Sequence, residues 1–436
     1  MFKTLRDAFR IKEVRRRIFY VIFALVVIRI GSQIPVPGVD TDFFSNYFSS
    51  NSNDAFTFLN AFTGGGFSNF SIFALSITPY ITSSIIIQLL TIAIPKLEEM
   101  QKDGEEGRKK LTAITRYLTI GLAIFESAAM CIGFGNQLIL DLNLVNVVVV
   151  VASLTAGSAF LMWLGEQIND KGVGNGISMV LLINILSRVP QDMITLYNNF
   201  VAGNTIARAA LAWVIIAVII LAVIILVLIL NGAERRIPVQ YSKKMVGRKL
   251  VGGQSSHIPL KVNTAGVIPI IFASSIMSFP GIIVGFTGQS LDGWGGRVIN
   301  MLSSSNWFNP SDWFLSLGLI LYVVLVIFFA YFYTSITFNP MEVADNMRKQ
   351  GGFIPGIRPG KATVDYLNAV LKYVIFIGAA GLTIVAVIPF VFNGLFSAEV
   401  SFGGTSLIII VSVILETLKQ VESMMLVRNY KGFLND

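Results

Sequence analysis

The sequence is poor in charged residues and contains one cysteine and one histidine. Asp, Glu, Lys and Arg make up 13% of its 436 residues, against roughly 25% in soluble domains. The single Cys131 excludes a disulfide within the chain and argues against a sulfur-based metal site. The single His257 excludes paired-histidine metal or proton-relay chemistry. We therefore predict a protein without a metal site or a cofactor.

Nucleotide-binding motifs are also missing. Gly360-Lys361-Ala362 resembles the end of a phosphate-binding loop, but Pro355 stands where glycine is needed and Ala362 where a metal-binding hydroxyl is needed. The Gly-rich stretch 172–176 has the wrong spacing for a dinucleotide site, and a tight turn that opens a helix explains it better. We predict that the chain is not an enzyme.

Apolar residues dominate the chain instead. They make up 54% of the sequence, and the mean hydropathy is +0.71. A membrane-spanning helix needs about 20 apolar residues, and no small-residue cleavage site follows the basic N-terminal arm. We predict an all-α membrane protein with ten transmembrane helices, at about 18–34, 70–94, 113–135, 144–166, 174–190, 208–231, 264–286, 313–338, 368–392 and 402–426.

The distribution of Lys and Arg predicts the orientation. Of the 33 basic residues, 29 lie in the N-terminal arm, the segments after even-numbered spans and the C-terminal end. Cytoplasmic flanks are enriched in Lys and Arg, so both termini are predicted to be cytoplasmic. The outer segments are 40–58, 136–146 and 286–312, and Trp294, Trp307 and Trp313 fit an interfacial belt there.

One stretch, 60–94, combines two incompatible kinds of sequence. Gly64, Gly65 and Gly66 cannot hold a long helix, because each glycine costs roughly 1 kcal/mol relative to alanine. The phenylalanines at 62, 67, 70 and 73 are nevertheless too apolar for a loop in water. We interpret the first half as a weakly held plug inside a channel and the second half as a gate helix.

A weak internal sequence similarity relates the two halves of the chain. The second span reads PYITSSII from Pro79, and the seventh reads PIIFASSIM from Pro269. If spans 1–5 and 6–10 are repeats, their odd number makes them inverted in the membrane, with a pathway at the repeat interface.

Several residues within the spans allow more than one interpretation. Ion-coupled carriers need ionisable groups near the midplane, so an inverted-repeat solute transporter is the alternative function. Hydroxyl and amide side chains in the second and seventh spans are either glue between helices or an interface built to open. Aliphatic residues at helical spacing, such as Ile77 and Ile81, fit bundle packing as well as a pore. The candidate intramembrane charges are Arg29, Glu126, Glu166, Lys372 and Glu416.

Two long cytoplasmic segments, 232–263 and 339–367, carry many cations. Both have alternating Val, Ile and Tyr positions, and we expect a hairpin in each. Three interpretations of these cations are open: they orient the protein, bind anionic lipid or dock an anionic partner such as RNA.

The chain resembles the SecY family, the central subunits of bacterial protein-translocation channels, over nearly its whole length. The matching stretches are IPVPGVD (34–40), SIFALSITPYITSSIIIQLL (71–90), GRKKLTAITRY (107–117), GNGIS (174–178), HIPLKVNTAGVIPIIFASSI (257–276), GIRPG (356–360) and GGTSLIII (403–410).

The resemblance implies a channel for unfolded secretory polypeptides that also releases transmembrane segments sideways into lipid. It implies a central hourglass pore with an aliphatic ring of Ile77, Ile81, Leu181, Ile185, Ile271 and Ile409. The implied plug includes Phe62, Gly64, Gly65, Gly66, Phe67, Ser68 and Asn69. The implied lateral gate, between the second and seventh spans, includes Thr78, Ser83, Gln88, Asn263, Ser274 and Ser275.

The resemblance also implies partners and a location. They are SecE-like and SecG-like small subunits, a SecA-like motor ATPase, the ribosome and lipid, at the bacterial cytoplasmic membrane. The implied docking residues are Arg235, Arg236, Lys243, Lys244, Arg248, Lys249 and Arg358. The expected layout is a basic arm (1–17), an N-terminal half (18–190), an outer linker (191–207), a C-terminal half (208–426) and a tail (427–436).

Overall fold

The fold is built from long helices. The computed structural model of the chain describes residues 2–41, 60, 62–139, 143–200, 206–241, 244–246, 249–251, 255–287, 293–307, 312–396 and 404–432. The helices are α1 (Phe2–Arg10), α2 (Lys12–Gly31), α3 (Thr78–Ala93), α4 (Pro95–Lys102), α5 (Gly104–Leu138), α6 (Leu144–Lys171), α7 (Gly176–Phe200), α8 (Ile206–Gly232), α9 (Ile268–Thr287), α10 (Trp294–Leu302), α11 (Trp313–Thr337), α12 (Pro340–Lys349), α13 (Lys361–Phe396) and α14 (Gly404–Gly432).

Each of the ten predicted spans overlaps one of the longer helices, which are α2, α3, α5, α6, α7, α8, α9, α11, α13 and α14. Six helices among the described residues are long and apolar enough to cross a membrane, or seven if α3 and α4, which meet at 108°, form one span. Large apolar side chains on the outer surface, such as Ile132 and Leu144, are more than four-fifths exposed (82% and 83%). Such a surface suits lipid rather than water, and the chain is a multi-pass membrane protein.

The second span begins later than predicted. Its helix, α3, starts at Thr78 rather than near residue 70. The residues before it turn tightly instead, with positive φ at Phe70 and Ser76. Pro79 then lies in the first turn of α3, where its missing N–H has no helical partner to lose.

Two other boundaries also differ from the predicted ones. α2 begins at Lys12, inside the predicted arm. α7 continues to Phe200, so part of the predicted outer linker 191–207 is helical. Pro190 did not end this helix, and membrane helices tolerate proline because neighbouring groups satisfy the freed backbone.

The two halves pack in the same pattern. In the N-terminal half α2 packs against α6 and α7, and the neighbours α3–α5, α5–α6 and α6–α7 are also in contact. In the C-terminal half α8 packs against α13 and α14, and α9–α11, α11–α13 and α13–α14 are the corresponding neighbours. The halves meet where α9 contacts α5 and where α14 contacts α7 and α2. The correspondence, helix for helix, agrees with the predicted repeat.

A small sheet lies at the end of the bundle where α8 ends. β1 (Glu234–Tyr241) pairs antiparallel with β4 (Ser255–Lys261) and with β5 (Gly352–Phe353), while β2 (Lys244–Val246) pairs with β3 (Lys249–Val251). The hairpin expected in 232–263 is therefore present. The buried strand residues Ile237, Val239 and Leu260 share an apolar cluster with residues of α11, α12 and α13.

The second expected hairpin, in 339–367, is wrong. This segment forms α12 and contributes only the short β5 to the edge of β1. Asn339 explains the helix, because its side chain accepts hydrogen bonds from the backbone N–H groups of Met341 and Glu342, and Pro340 follows as the first helical residue.

Trp307 also departs from its prediction. Trp294 and Trp313 are exposed, as an interfacial belt requires, but Trp307 is 2% exposed. Its indole ring packs against Tyr322 and Phe390, and its Nε1–H donates to the backbone oxygen of Met301 at 3.1 Å. Trp307 is therefore a core residue of the C-terminal half.

The glycine-rich turn 172–176 opens α7, as predicted. The turn lets α6 and α7 cross closely, because a Cβ on Gly176 would lie 1.8 Å from the backbone oxygen of Gly165. The Gly176 N–H donates to Asn169 Oδ1 at 2.7 Å. This crossing fixes the start of α7 relative to α6.

We predict that Gly176→Ala destabilises the protein by about 1–3 kcal/mol, the usual cost of overpacking a close contact. Thermal unfolding in detergent would measure it. Gly121→Ala on α5 is the matched control, because a Cβ there meets nothing within 4 Å. Equal unfolding temperatures for the two variants would contradict the close crossing.

Candidate functional site

The six predicted pore residues share one large apolar cluster in the interior of the bundle. Ile77, Ile81, Leu181, Ile185, Ile271 and Ile409 all belong to, or pack against, one apolar cluster. Ile81 is half-buried, and the other five are between 0% and 7% exposed. They come from α3 and the residue before it, α7, α9 and α14, so both halves contribute.

The chemistry of this collar, defined as these six residues, is uniformly apolar. Leu181 and Ile185 lie one turn apart on α7, and Ile77 and Ile81 have the same spacing at the start of α3. None of the six offers a side-chain hydrogen bond or a charge. The collar can therefore exclude water and ions without binding any particular ligand.

The segment before α3 packs directly beside the collar. Phe62, Phe67, Phe70 and Phe73 are all buried, and Phe62 and Phe73 belong to the same cluster as the collar. The backbone is largely a series of turns, with φ of +64° at Gly64 and +87° at Gly65. Of the remaining predicted plug residues, Gly66 is buried, Ser68 half-buried and Asn69 exposed.

Backbone contacts hold the end of this segment nearest α3. The N–H of Val36 donates to the backbone oxygen of Phe70 at 3.0 Å, and the N–H of Ile72 donates to that of Ile34 at 2.9 Å. Glycines on two helices make room for it. A Cβ on Gly31 would lie 2.0 Å from the Phe73 ring, and one on Gly157 would lie 2.0 Å from the Ile72 oxygen.

Side chains of two helices hold the other end. Arg29 on α2 donates to the backbone oxygen of Gly64 at 3.1 Å. The Ser187 hydroxyl on α7 donates to the backbone oxygen of Asn184 at 2.7 Å and reaches the Gly64 oxygen at 3.3 Å as the longer branch of a shared hydrogen bond. Asn184 on α7 donates to the backbone oxygen of Phe62 at 2.9 Å. Arg29 was predicted only as an intramembrane charge, and no role was predicted for Asn184 or Ser187. Asn184 could have been noticed in the sequence, because it is an amide side chain in the otherwise aliphatic run from Leu181 to Ile185.

The two predicted gate helices share α5 as a neighbour. α3 packs against α5, and α9 packs against both α5 and α11. Ser83 is buried, and its hydroxyl donates to the Pro79 oxygen within α3 at 2.7 Å. Thr78 and Gln88 are half-buried, and Gln88 donates to Ser84 at 3.3 Å.

On the C-terminal side, Asn263 binds within its own half. Its side chain donates to Asn231 at 2.7 Å, and Asn231 donates to Ser412 on α14 at 2.7 Å. On α9, Ser274 is buried and Ser275 half-buried. The hydrogen bonds of the predicted gate residues therefore form one set within α3 and another set within the C-terminal half.

The candidate intramembrane charges do not converge on one site. Glu166 binds Arg116 at 2.7 Å. Glu126 is half-buried on α5, whereas Glu416 is exposed on α14 and Lys372 exposed on α13. Within the described residues, no group of three or more His, Cys, Asp and Glu side chains could hold a metal ion.

Five of the predicted docking cations belong to the described part of the chain, and they lie in or near the β-strands. Arg235 and Arg236 are exposed on β1, Arg358 is exposed before α13, and Lys244 and Lys249 belong to β2 and β3. Arg236 binds Glu234 at 2.6 Å, and this hydrogen bond lowers the pKa of the Glu234 carboxyl. Lys243 and Arg248 lie outside the described residues.

Comparisons with known proteins identify the family of the chain. The sequence model of the SecY family matches residues 71–418. The chain is 43% identical over 444 residues to the protein translocase subunit SecY of Halalkalibacterium halodurans, with 100% of both chains covered. It is 40% identical over 442 residues to the SecY subunit of Staphylococcus aureus, with 99% of both chains covered.

Solved structures show the same fold. A protein-conducting channel superimposes with a TM-score of 0.63 at 18% identity, covering 94% of this chain and 92% of that one. Sec61 in a canine ribosome–channel complex superimposes with a TM-score of 0.57 at 16% identity, covering 94% and 92%. The family match, the full-length identity and the shared fold lead to one conclusion: this chain belongs to the SecY family.

Proposed function

We propose that the collar is the constriction of a protein-conducting channel and that residues 62–73 are its plug. In this proposal unfolded secretory polypeptides pass through the collar, and transmembrane segments leave sideways between α3 and α9. The observation that carries it is that six aliphatic residues from four helices and both halves share one buried apolar cluster with Phe62 and Phe73 of a weakly helical segment.

An aliphatic collar suits a polypeptide client. A translocating chain presents every kind of side chain, so a pore that bound any one of them would stop it. Branched aliphatic side chains offer no hydrogen bonds, and when closed they block ions by dewetting.

Lateral release follows from the same physics. An apolar client segment held in the pore gains free energy by moving its surface out of water and into lipid. The proposed gate lies between helices α3 and α9, and both pack against α5. Separation of α3 from α9 would open this route, with Thr78, Ser83, Gln88, Asn263, Ser274 and Ser275 as its polar members.

The partners and the location belong to the same proposal. The related Sec61 and Ssh1 channels have been solved on ribosomes, and a ribosome is proposed to dock on the cations of the small sheet and Arg358. SecE-like and SecG-like subunits would complete the channel, and a SecA-like ATPase would supply energy. The proposed site is the bacterial cytoplasmic membrane with both termini in the cytoplasm.

The alternative, an ion-coupled solute transporter, has no support. The relatives found are translocase subunits, and Glu126 and Glu416 lie on different helices without a shared site among the described residues.

Replacing a collar residue with a polar one should make the closed channel leak ions. We expect Ile271→Asn to raise the client-free conductance of reconstituted channels on the order of tenfold, because the amide stabilises water inside the constriction. Ile276→Asn is the matched control on the same helix, since Ile276 is 41% exposed on the outer surface and Ile271 is 7% exposed. Equal leakage from the two variants would contradict the assignment of the constriction.

Arg358→Glu should reduce ATPase-driven transport of a secretory client in vesicles by on the order of tenfold, because a like charge opposes an acidic docking surface. Client-free conductance should stay at the wild-type level, since Arg358 is exposed and does not belong to the apolar cluster that contains the collar. Arg297→Glu is the control, because Arg297 is predicted to lie on the outer side. Loss of transport only in the Arg297 variant would refute the proposed docking face.

A further inference from the structure

We infer that Arg29, Asn184 and Ser187 form a polar latch that holds the plug in its closed position by donating hydrogen bonds to its backbone. This inference rests on the proposed function, and it names the residues that set how readily the channel opens. The latch acts on residues 62–64, the end of the plug that is farther from α3 along the chain.

The Asn184 side chain donates hydrogen bonds at two points, one at the start of the proposed plug and one just after its end. Its amide nitrogen donates to the Phe62 backbone oxygen at 2.9 Å and to the Ser76 hydroxyl at 3.1 Å. The residue is 2% exposed. The Ser76 hydroxyl in turn lies 3.4 Å from the Phe62 oxygen. One side chain on α7 thus ties the start of the plug to the residue two positions before α3.

Gly64 provides the second point of attachment. Its backbone oxygen accepts from Arg29 on one helix and, as the longer branch of a hydrogen bond shared with the Asn184 oxygen, from Ser187 on another. No larger residue fits, because a Cβ on Gly64 would lie 2.8 Å from the Asn184 backbone oxygen, besides 2.7 Å from Ser187 Oγ and 2.9 Å from Arg29 Nη1. The φ of +64° also favours glycine. The donors and the glycine therefore form one fitted site.

The two ends of the plug are held by different kinds of bond. Near α3, residues 70 and 72 exchange backbone hydrogen bonds with residues 34 and 36, much as two strands do. At residues 62–64 the three latch side chains donate to the plug. Release at the latch end leaves the other attachment intact, so the plug can swing out and return.

The hydrogen bonds of the latch stabilise the closed plug more in a dry interior than in a hydrated pore. A backbone oxygen left without a donor in an apolar interior carries a large free-energy penalty, whereas water can satisfy it once the pore is hydrated. The latch therefore favours the closed plug before a client arrives and offers little resistance once water has entered with the client.

The test measures client-free ion conductance of the reconstituted channel with its small subunits. Asn184→Leu keeps the size of the side chain but removes both donated bonds, and Ser187→Ala removes one. We expect conductance to rise on the order of tenfold for Asn184→Leu and less for Ser187→Ala. Thr195→Val on the same helix is the matched control, because the Thr195 hydroxyl donates only within α7.

A second measurement separates a latch from a merely structural role. Transport of a client with a weakened signal segment should increase in the latch variants, whereas misfolded channels would transport less. Gly64→Ala should give the same two effects by steric displacement of the donors. Wild-type conductance in Asn184→Leu and Ser187→Ala channels that still transport a normal client would overturn the latch. If the wild-type chain itself transports no client, the proposed function fails instead.

Discussion

The structure depends on keeping the centre of a membrane protein dry without giving it any chemical preference. Aliphatic side chains meet this requirement, and the collar uses only isoleucine and leucine. Such a surface suits the exclusion of ions, but it cannot by itself hold the proposed plug in a fixed place, because apolar contacts are not directional. A directional contact comes from Asn184, in the same helix as Leu181 and Ile185, which donates to the Phe62 backbone oxygen of the proposed plug.

The arrangement of the two halves explains how such a collar can open. Each half packs internally in the same pattern, whereas contacts between halves run through α9 with α5 and through α14 with α7 and α2. The collar residues are drawn from α3 and α7 on one side and α9 and α14 on the other. Movement of one half against the other therefore changes the collar directly, while the helices within each half keep their neighbours.

Much of this architecture could be predicted from the sequence, because long apolar runs and basic flanks are strong signals. The predictions failed where a local signal was overridden or overlooked. The fifth span was predicted to end at residue 190, but helix α7 continues to Phe200, and the Asn339–Pro340 helix-start signal was overlooked in favour of a hairpin. Trp307 was predicted to lie at the membrane interface because its segment has the composition of an outer loop, but its ring packs against Tyr322 and Phe390. The latch was not predictable, because its bonds end on backbone oxygens that carry no sequence signal, and those of Asn184 and Ser187 reach residues more than a hundred positions away.

The most direct test of the central constriction is photo-crosslinking to a stalled secretory chain. A photoreactive residue would be placed in turn at Ile81 and Leu181 in the collar and at Ile132 and Leu144 on the outer surface, where exposure is 82% and 83%. We expect crosslinks to the stalled chain from the two collar positions and none from the two outer ones. Crosslinks from the outer positions with none from the collar would contradict a client path through the centre of the bundle.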